Sequence, residues 1–281
     1  MDFSLRELQL CELGILKEVK RVCDEHGIVY YLCSGTLLGA VRHQGFIPWD
    51  DDIDIAMPYP EYNRFLKIAQ TELGDCFYVQ NHDTDPAYNY LFTKIRKNNT
   101  TMLSIYEKGT PGHHGVWIDV FPIISISGRG SYLVRKISLR ICNYSVMDTV
   151  YFATNKEWIR SQTNALLFSI VKLFLKLPER ARERIFRLFE QVVFSGQNRK
   201  NMLNTVVWAG LTKTYPKEIF EGKAEEMRFE DEQFTVPARY DEYLRMTYGE
   251  YMIPPAEDKR NGGHGDLIID LDHSWEKYNI S

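Results

Sequence analysis

Asp50-Asp51-Asp52-Ile53-Asp54-Ile55-Ala56 sets four carboxylates within five residues and then alternates acid with isoleucine. In an extended chain alternate side chains share a face. Asp52 and Asp54 therefore point one way, while Ile53 and Ile55 point the other way into a core. Carboxylates this crowded repel one another, and a divalent cation is the simplest way to offset that repulsion. Ligands that are all oxygen suit Mg2+ or Mn2+. The bland alternative is an acidic run on a solvated face. A calcium loop of the EF-hand type does not fit, because the run lacks that loop's spacing of Gly and Glu.

Outward from this run, the flanking segments read as alternating helices and short strands. Residues 4–26 carry apolar side chains at helical spacing behind a Ser4/Glu7 capping box, and Gly27 ends the pattern. Residues 28–33, rich in β-branched and aromatic side chains, read as a buried strand. Ser34-Gly35-Thr36 ends it, residues 36–43 suit one or two helical turns, and residues 44–49 form a loop. The acids lead into a strand over 53–57, Pro60 opens a helix that closes at Gly74, and strands follow at 77–80 and 90–96. A last strand at 116–121 is expected to stop at Pro122. Helices mixed with strands around one sheet make an α+β core. The pattern turns helical over 131–195, with Pro178 as a break, and mixed again from 196, with a short helix over 237–248 and a Gly-rich tail after Pro254-Pro255. Three parts are expected: a catalytic core at 1–130, a helical subdomain at 131–195, and a segment at 196–281 that packs on the core and completes the cleft.

Further residues suit the chemistry of the acidic run. Asp119 is a single acid in the apolar strand Val116-Trp117-Ile118-Asp119-Val120-Phe121, and burying it without a partner is costly. Beside Asp52 and Asp54 it would complete a metal site and take a proton from an acceptor hydroxyl; a salt-bridged or edge position is the alternative. The small turn Ser34-Gly35-Thr36 exposes backbone N–H groups that suit a phosphate, although such turns are common without one. Arg42, Lys94 and Arg96 fall on elements expected near the acids, and Lys94 and Arg96 share a strand face.

The formal net charge of −4 lacks the basic footprint of a nucleic-acid binder. The five cysteines form no CxxC pair, which suits reduced thiols rather than a disulfide scaffold. No secretory leader is legible at the amino terminus. The longest apolar stretch, 165–177, is short for a bilayer and carries Lys172 and Lys176. A cytoplasmic protein is expected. Lys172, Lys176, Arg180, Arg182, Arg184 and Arg187 flank apolar residues, so 131–195 also reads as a peripheral contact with the inner face of the membrane, against the plainer reading of a helical cap.

Leu32-Cys33-Ser34-Gly35-Thr36-Leu37-Leu38-Gly39-Ala40-Val41-Arg42-His43 and Gly45-Phe46-Ile47-Pro48-Trp49-Asp50-Asp51-Asp52-Ile53-Asp54-Ile55 together resemble the LicD family. So do Lys94-Ile95-Arg96, Ile118-Asp119-Val120-Phe121-Pro122, Tyr248-Gly249-Glu250-Tyr251-Met252, Pro254-Pro255 and Arg260. The resemblance covers most of residues 1–122 and about 228–264. It implies a nucleotidyltransferase-like mixed sheet core flanked by helices, with a helical insertion. It implies transfer of a phosphoalcohol, commonly phosphocholine from CDP-choline, to a sugar hydroxyl of lipopolysaccharide, teichoic acid or capsule, with release of CMP. On this reading Asp52, Asp54 and Asp119 hold Mg2+ or Mn2+ and carry catalysis, while Ser34, Gly35, Thr36, Arg42, Asp50, Lys94, Arg96 and Arg260 bind substrate and phosphate. The partners are a CDP-linked small alcohol and a glycan, which a lipid carrier could bear, and no nucleic acid. Two other readings stay open: a nucleotidyltransferase that uses a nucleoside triphosphate donor, and a non-catalytic glycan-binding scaffold.

Overall fold

The computed structural model describes residues 4–104, 107–147, 149–163, 165–197, 203–208, 210, 211, 213–260, 265 and 267–278. Helix α1 (Leu5–His26) opens with the Ser4/Glu7 capping box and closes on Gly27 in the left-handed region. Strand β1 (Tyr31–Leu32), helix α2 (Ser34–His43), strand β2 (Asp54–Pro58) and helix α3 (Tyr59–Leu73) follow. Then come β3 (Phe77–Gln80), β4 (Thr93–Lys97), β5 (Thr101–Ser104) and β6 (Trp117–Ile126). A helical run comprises α4 (Arg129–Ser145), α5 (Thr149–Thr154), α6 (Lys156–Gln162), α7 (Ala165–Phe174) and α8 (Glu179–Phe194). The last elements are β7 (Leu203–Val206), β8 (Tyr215–Pro216), β9 (Glu225–Phe229), β10 (Glu232–Val236), α9 (Tyr240–Tyr248) and β11 (Leu267–Asp270). The glycine-rich stretch 261–264 lies outside the described residues.

The fold is α+β. Seven strands form a mixed sheet in the order β1-β2-β6-β4-β3, with β7 added to β6 and β8 to β7. β2 and β6 run parallel, and the other pairs are antiparallel. Thr93 of β4 bonds Tyr62 of α3 through its hydroxyl, so α3 covers the face that carries Thr93 and Ile95. α1 packs beside α3 on this face. Ile53, Ile55, Ile95, Ile118 and Val120 are fully buried. The opposite face carries Asp54, Asp119, Lys94 and Gln80 in one row across β2, β6, β4 and β3.

Three strands differ from the sequence reading by more than one residue at an end. The strand expected over 28–33 shrinks to Tyr31–Leu32, because Ile28 N–H closes the end of α1 on Cys23 O and Val29 N–H turns to the Glu61 carboxylate. The strand expected from residue 90 begins at Thr93. β6 runs through Pro122 instead of stopping there. On that edge β4 pairs up to Val120 and β7 takes over at Ile123, so Pro122 sits at the handover, where no ladder N–H is called for. Its carbonyl still accepts from Val207 N–H at 2.9 Å.

Candidate active site

The acids gather near the amino-terminal ends of the two parallel strands. Asp54 and Asp119 are direct partners across β2 and β6, which puts both side chains on one face about 5 Å apart at their backbones. The backbone holds this register tightly. Thr36 Oγ accepts from Asp54 N–H at 2.8 Å, Cys33 N–H donates to Asp54 O at 3.1 Å, and Asp119 N–H donates to Ile53 O at 2.9 Å. Thr36 thus spends its hydroxyl on positioning Asp54.

Asp50, Asp51 and Asp52 bring carboxylate oxygens within 4.8 Å of one another. Among the described residues this is the acid trio that draws together at the site, whereas Asp52, Asp54 and Asp119 do not meet that spacing. Asp119 Oδ1 is engaged by Lys94 Nζ at 2.6 Å, a pair buried on both sides. Lys94 also lies 4.2 Å from the centre of the Trp117 ring. Burial raises the Asp54 pKa well above the carboxylate range, and Asp52, Asp119 and Asp50 add to it, with Lys94 opposing. Burial lowers the Lys94 pKa, and Asp119 pulls it back.

The turn above the acids is shaped by close approach. A Cβ on Gly35 would stand 2.6 Å from Asp50 Oδ2, so only glycine lets that carboxylate lie against the start of α2. Ser34 takes a φ of 50°, and its buried Oγ has no hydrogen-bond partner among the described residues. Arg42 donates to Tyr251 O at 2.7 Å and is held near Arg260 and Asp50, which act on its charge in opposite directions. Arg260 donates to Pro255 O at 2.9 Å and covers the Trp49 ring at 5.1 Å. Arg42, Arg260 and Trp49 therefore form a cationic and aromatic rim on the Asp50 side. Arg96 stands apart from this rim. It is buried, donates to Gln80 Oε1 and to Gly115 O, and packs on Trp117.

Residues that the sequence reading passed over also shape the site. Gln9 Nε2 donates to Asp50 O at 3.0 Å. One turn along α1, Glu12 is fully buried, and neither of its oxygens has a hydrogen-bond partner among the described residues. Burial, followed by Asp52 and Asp51, raises its pKa well above the usual range. Polar residues three apart inside an apolar helix stripe were the available signal. Tyr248 ionises less readily than a free phenol, through burial first and then Asp54, Cys33, Asp50 and Asp52. It keeps 43% of its surface exposed, so it borders the acids at the opening of the site.

Crowded, buried acids with a single buried lysine beside Asp119 leave an excess of negative charge, and all the candidate donors are oxygens. That chemistry fits a hard divalent cation. A mixed sheet flanked by helices, with acids at the ends of its central parallel strands and a glycine turn above them, is the architecture of a nucleotidyltransferase-type transferase.

The profile of the LicD/FKTN/FKRP nucleotidyltransferase domain matches residues 27–129. Over 272 residues the chain is 30% identical to the lipopolysaccharide cholinephosphotransferase LicD of Haemophilus influenzae, covering 92% of this chain and 95% of that protein. Over 68 residues it is 35% identical to the ribitol 5-phosphate transferase FKRP of Homo sapiens, covering 23% of this chain and 14% of that protein. The chain belongs to the LicD family and is a phosphotransferase.

Proposed function

We propose that the chain transfers a phosphoalcohol, first of all phosphocholine from CDP-choline, to a sugar hydroxyl of a cell-surface glycan such as lipopolysaccharide or teichoic acid, releasing CMP. The observation that carries this reading is the register of Asp54 with Asp119, with Asp52 acting on the same buried charge. Asp52, Asp54 and Asp119, which stand further apart here than the Asp50, Asp51 and Asp52 trio, are the residues that would draw together to hold Mg2+ or Mn2+. Such an ion supplies charge neutralisation to the diphosphate of the donor. Arg42 and Arg260 receive the charge that builds on the departing CMP. Asp119 takes the proton of the glycan hydroxyl as its oxygen bonds to phosphorus and the bond from phosphorus to CMP breaks. Lys94 holds Asp119 in place for this step. Purified protein with Mg2+, CDP-choline and lipopolysaccharide as acceptor should release CMP; release of pyrophosphate from a nucleoside triphosphate in its place would favour nucleotidyl transfer.

The acceptor in this reading is borne on a lipid, and the helical part meets the membrane at its inner face. Leu133, Val134 and Ile137 lie on one face of α4 and are 57%, 52% and 51% exposed. Arg129, Arg140, Lys172, Lys176 and Arg180 are exposed on α4, α7 and α8 or the link between them. Residues 129–194 hold twelve Lys and Arg against five Asp and Glu, in a chain whose net charge is −4. Apolar side chains beside concentrated positive charge suit an anionic lipid surface. Among the described residues no helix is long and apolar enough to cross a membrane.

A further inference from the structure

Beyond the acids, a cavity of about 70 Å3 opens beside β4, lined by Tyr88, Tyr90, Lys94, Arg96, His114 and Tyr151 among others. Lys94 joins it to the reaction centre, since its Nζ reaches Asp119 Oδ1 at 2.6 Å. The row Asp54, Asp119, Lys94 across β2, β6 and β4 places the cavity on the far side of Asp119 from Asp54. A donor phosphate held at Asp52 and Asp54 would therefore face an acceptor coming from the cavity.

Two polar groups in the wall want a ligand. Among the described residues Tyr88 Oη is buried without a hydrogen-bond partner, and so is His114 Nδ1. Tyr88 and His114 are 7% and 4% exposed. His114 Nε2 donates to Thr110 O at 3.2 Å, which leaves Nδ1 as an acceptor. The tyrosine hydroxyl both gives and accepts. Leaving such groups unpaired is costly, a cost that ligand hydroxyls would remove.

Size and charge narrow the ligand further. The space holds several water-sized groups at ~10–15 Å3 each, which suits one hydroxyl-bearing edge of a sugar and is too small for a nucleoside. A quaternary ammonium would meet the buried charges of Lys94 and Arg96. Of the two acids in the lining, Asp85 is taken by Gln80 Nε2 at 2.7 Å and Ala87 N–H at 3.2 Å, and Glu107 already acts on the charges of Lys94 and Arg96. Tyr88 and Tyr90, edge to face at 5.5 Å, add apolar surface of the kind that packs on sugar C–H groups.

We propose that this cavity is the acceptor subsite, taking the hydroxyl-bearing edge of a neutral sugar between Tyr88 Oη and His114 Nδ1 and presenting a neighbouring hydroxyl to Asp119. The approach to Asp119 rests on the transfer reaction proposed above; the affinity of the cavity for a sugar does not. Tyr88→Phe is the test variant, because it removes an oxygen that no group among the described residues bonds, so its melting temperature should match or exceed that of the parent. Saturation-transfer NMR with methyl galactoside and methyl glucoside should show transfer to the ring protons of at least one sugar in the parent. In Tyr88→Phe the affinity should fall about fivefold, the loss of one hydrogen bond, while calorimetric affinity for CDP-choline stays the same. No sugar signal in the parent, or an undiminished one in the variant, overturns the proposal. So does weakened CDP-choline binding in Tyr88→Phe, which would give the cavity to the donor. Sugar binding that behaves as expected, in a parent that releases no CMP from CDP-choline, upholds the subsite and removes only the donor reading.

Discussion

Replacing Asp54 with Asn should make the protein more stable without metal and less stable than the parent with it. Asp54 is 8% exposed and faces Asp119 across the parallel pair, with Asp52 and Asp50 also raising its pKa. Two like charges ~5 Å apart at an effective dielectric of about 20 repel by roughly 3 kcal/mol. Lys94 offsets part of this, and proton uptake by the acids limits the rest, so a net gain of about 1–2 kcal/mol is a reasonable size for the isosteric amide. The sign agrees with linkage: a carboxyl whose folded pKa is raised costs stability above its ordinary range, and the cost fades as pH falls. In EDTA at neutral pH the Asp54→Asn melting temperature should rise by about 2–6 °C in a chain of this size. Saturating Mg2+ with CDP-choline should reverse the order, because a ligand at about 100 times its Kd adds ~2.7 kcal/mol to the form that binds it. Differential scanning calorimetry with and without Mg2+ reads both halves. If Asp54→Asn melts lower in EDTA, or gains as much from Mg2+ as the parent does, the electrostatic account of the site is wrong.

Three further outcomes are expected. Gly35→Ala should cut CMP release at least tenfold with little change in far-UV circular dichroism, since the new Cβ would stand 2.6 Å from Asp50 Oδ2 and displace that carboxylate; steady-state kinetics checks it, and wild-type turnover would show that Asp50 need not lie there. Glu230 accepts from Arg6 and from Phe46 N–H at 3.1 Å, and Arg6 foremost holds its pKa below the usual value. Its contribution, less than about 1 kcal/mol after screening, is thus present above a pH of about 4.3 and is lost as pH falls through the lower folded pKa. Glu230→Gln should melt slightly below the parent at neutral pH and converge with it in acid, and a difference that widens in acid contradicts the assignment. Flotation with phosphatidylserine-containing liposomes should recover the parent protein at low salt, and Val134→Asp/Ile137→Asp should stay in the soluble fraction; equal recovery of both would rule out the α4 face as the contact.

Local signals carried the parts of the fold that were legible. Ser4 and Glu7 cap α1 in the expected way because a capping box needs only residues three apart. Alternation foretold the strand at Asp54 and the shared face of Lys94 and Arg96. Long-range pairing was harder to see. β5 with β11 joins segments far apart in sequence, and only the tertiary fold brings Thr101 opposite Asp270. Pro122 reads as a strand end until β4 is seen handing over to β7 beside it. The hairpin of β9 and β10 went unread because Glu225, Glu226 and Arg228 mask its alternation with charge. At the site, the acid run and Asp119 were legible by type. The neighbours that set their electrostatics were not. Nothing in the sequence says that Lys94 meets Asp119, that Arg96 turns inward to Gln80, or that Glu12 lies buried close enough to Asp51 and Asp52 to feel their charge.

The most direct measurement is CMP release from CDP-choline in the presence of lipopolysaccharide as acceptor by the parent, Asp52→Asn and Asp119→Asn proteins, with Mg2+ and with EDTA. The account predicts CMP from the parent with Mg2+ alone, and a loss of at least a thousandfold in both variants although each keeps its fold. Undiminished release by either variant, or by the parent in EDTA, would contradict a metal site built on these aspartates.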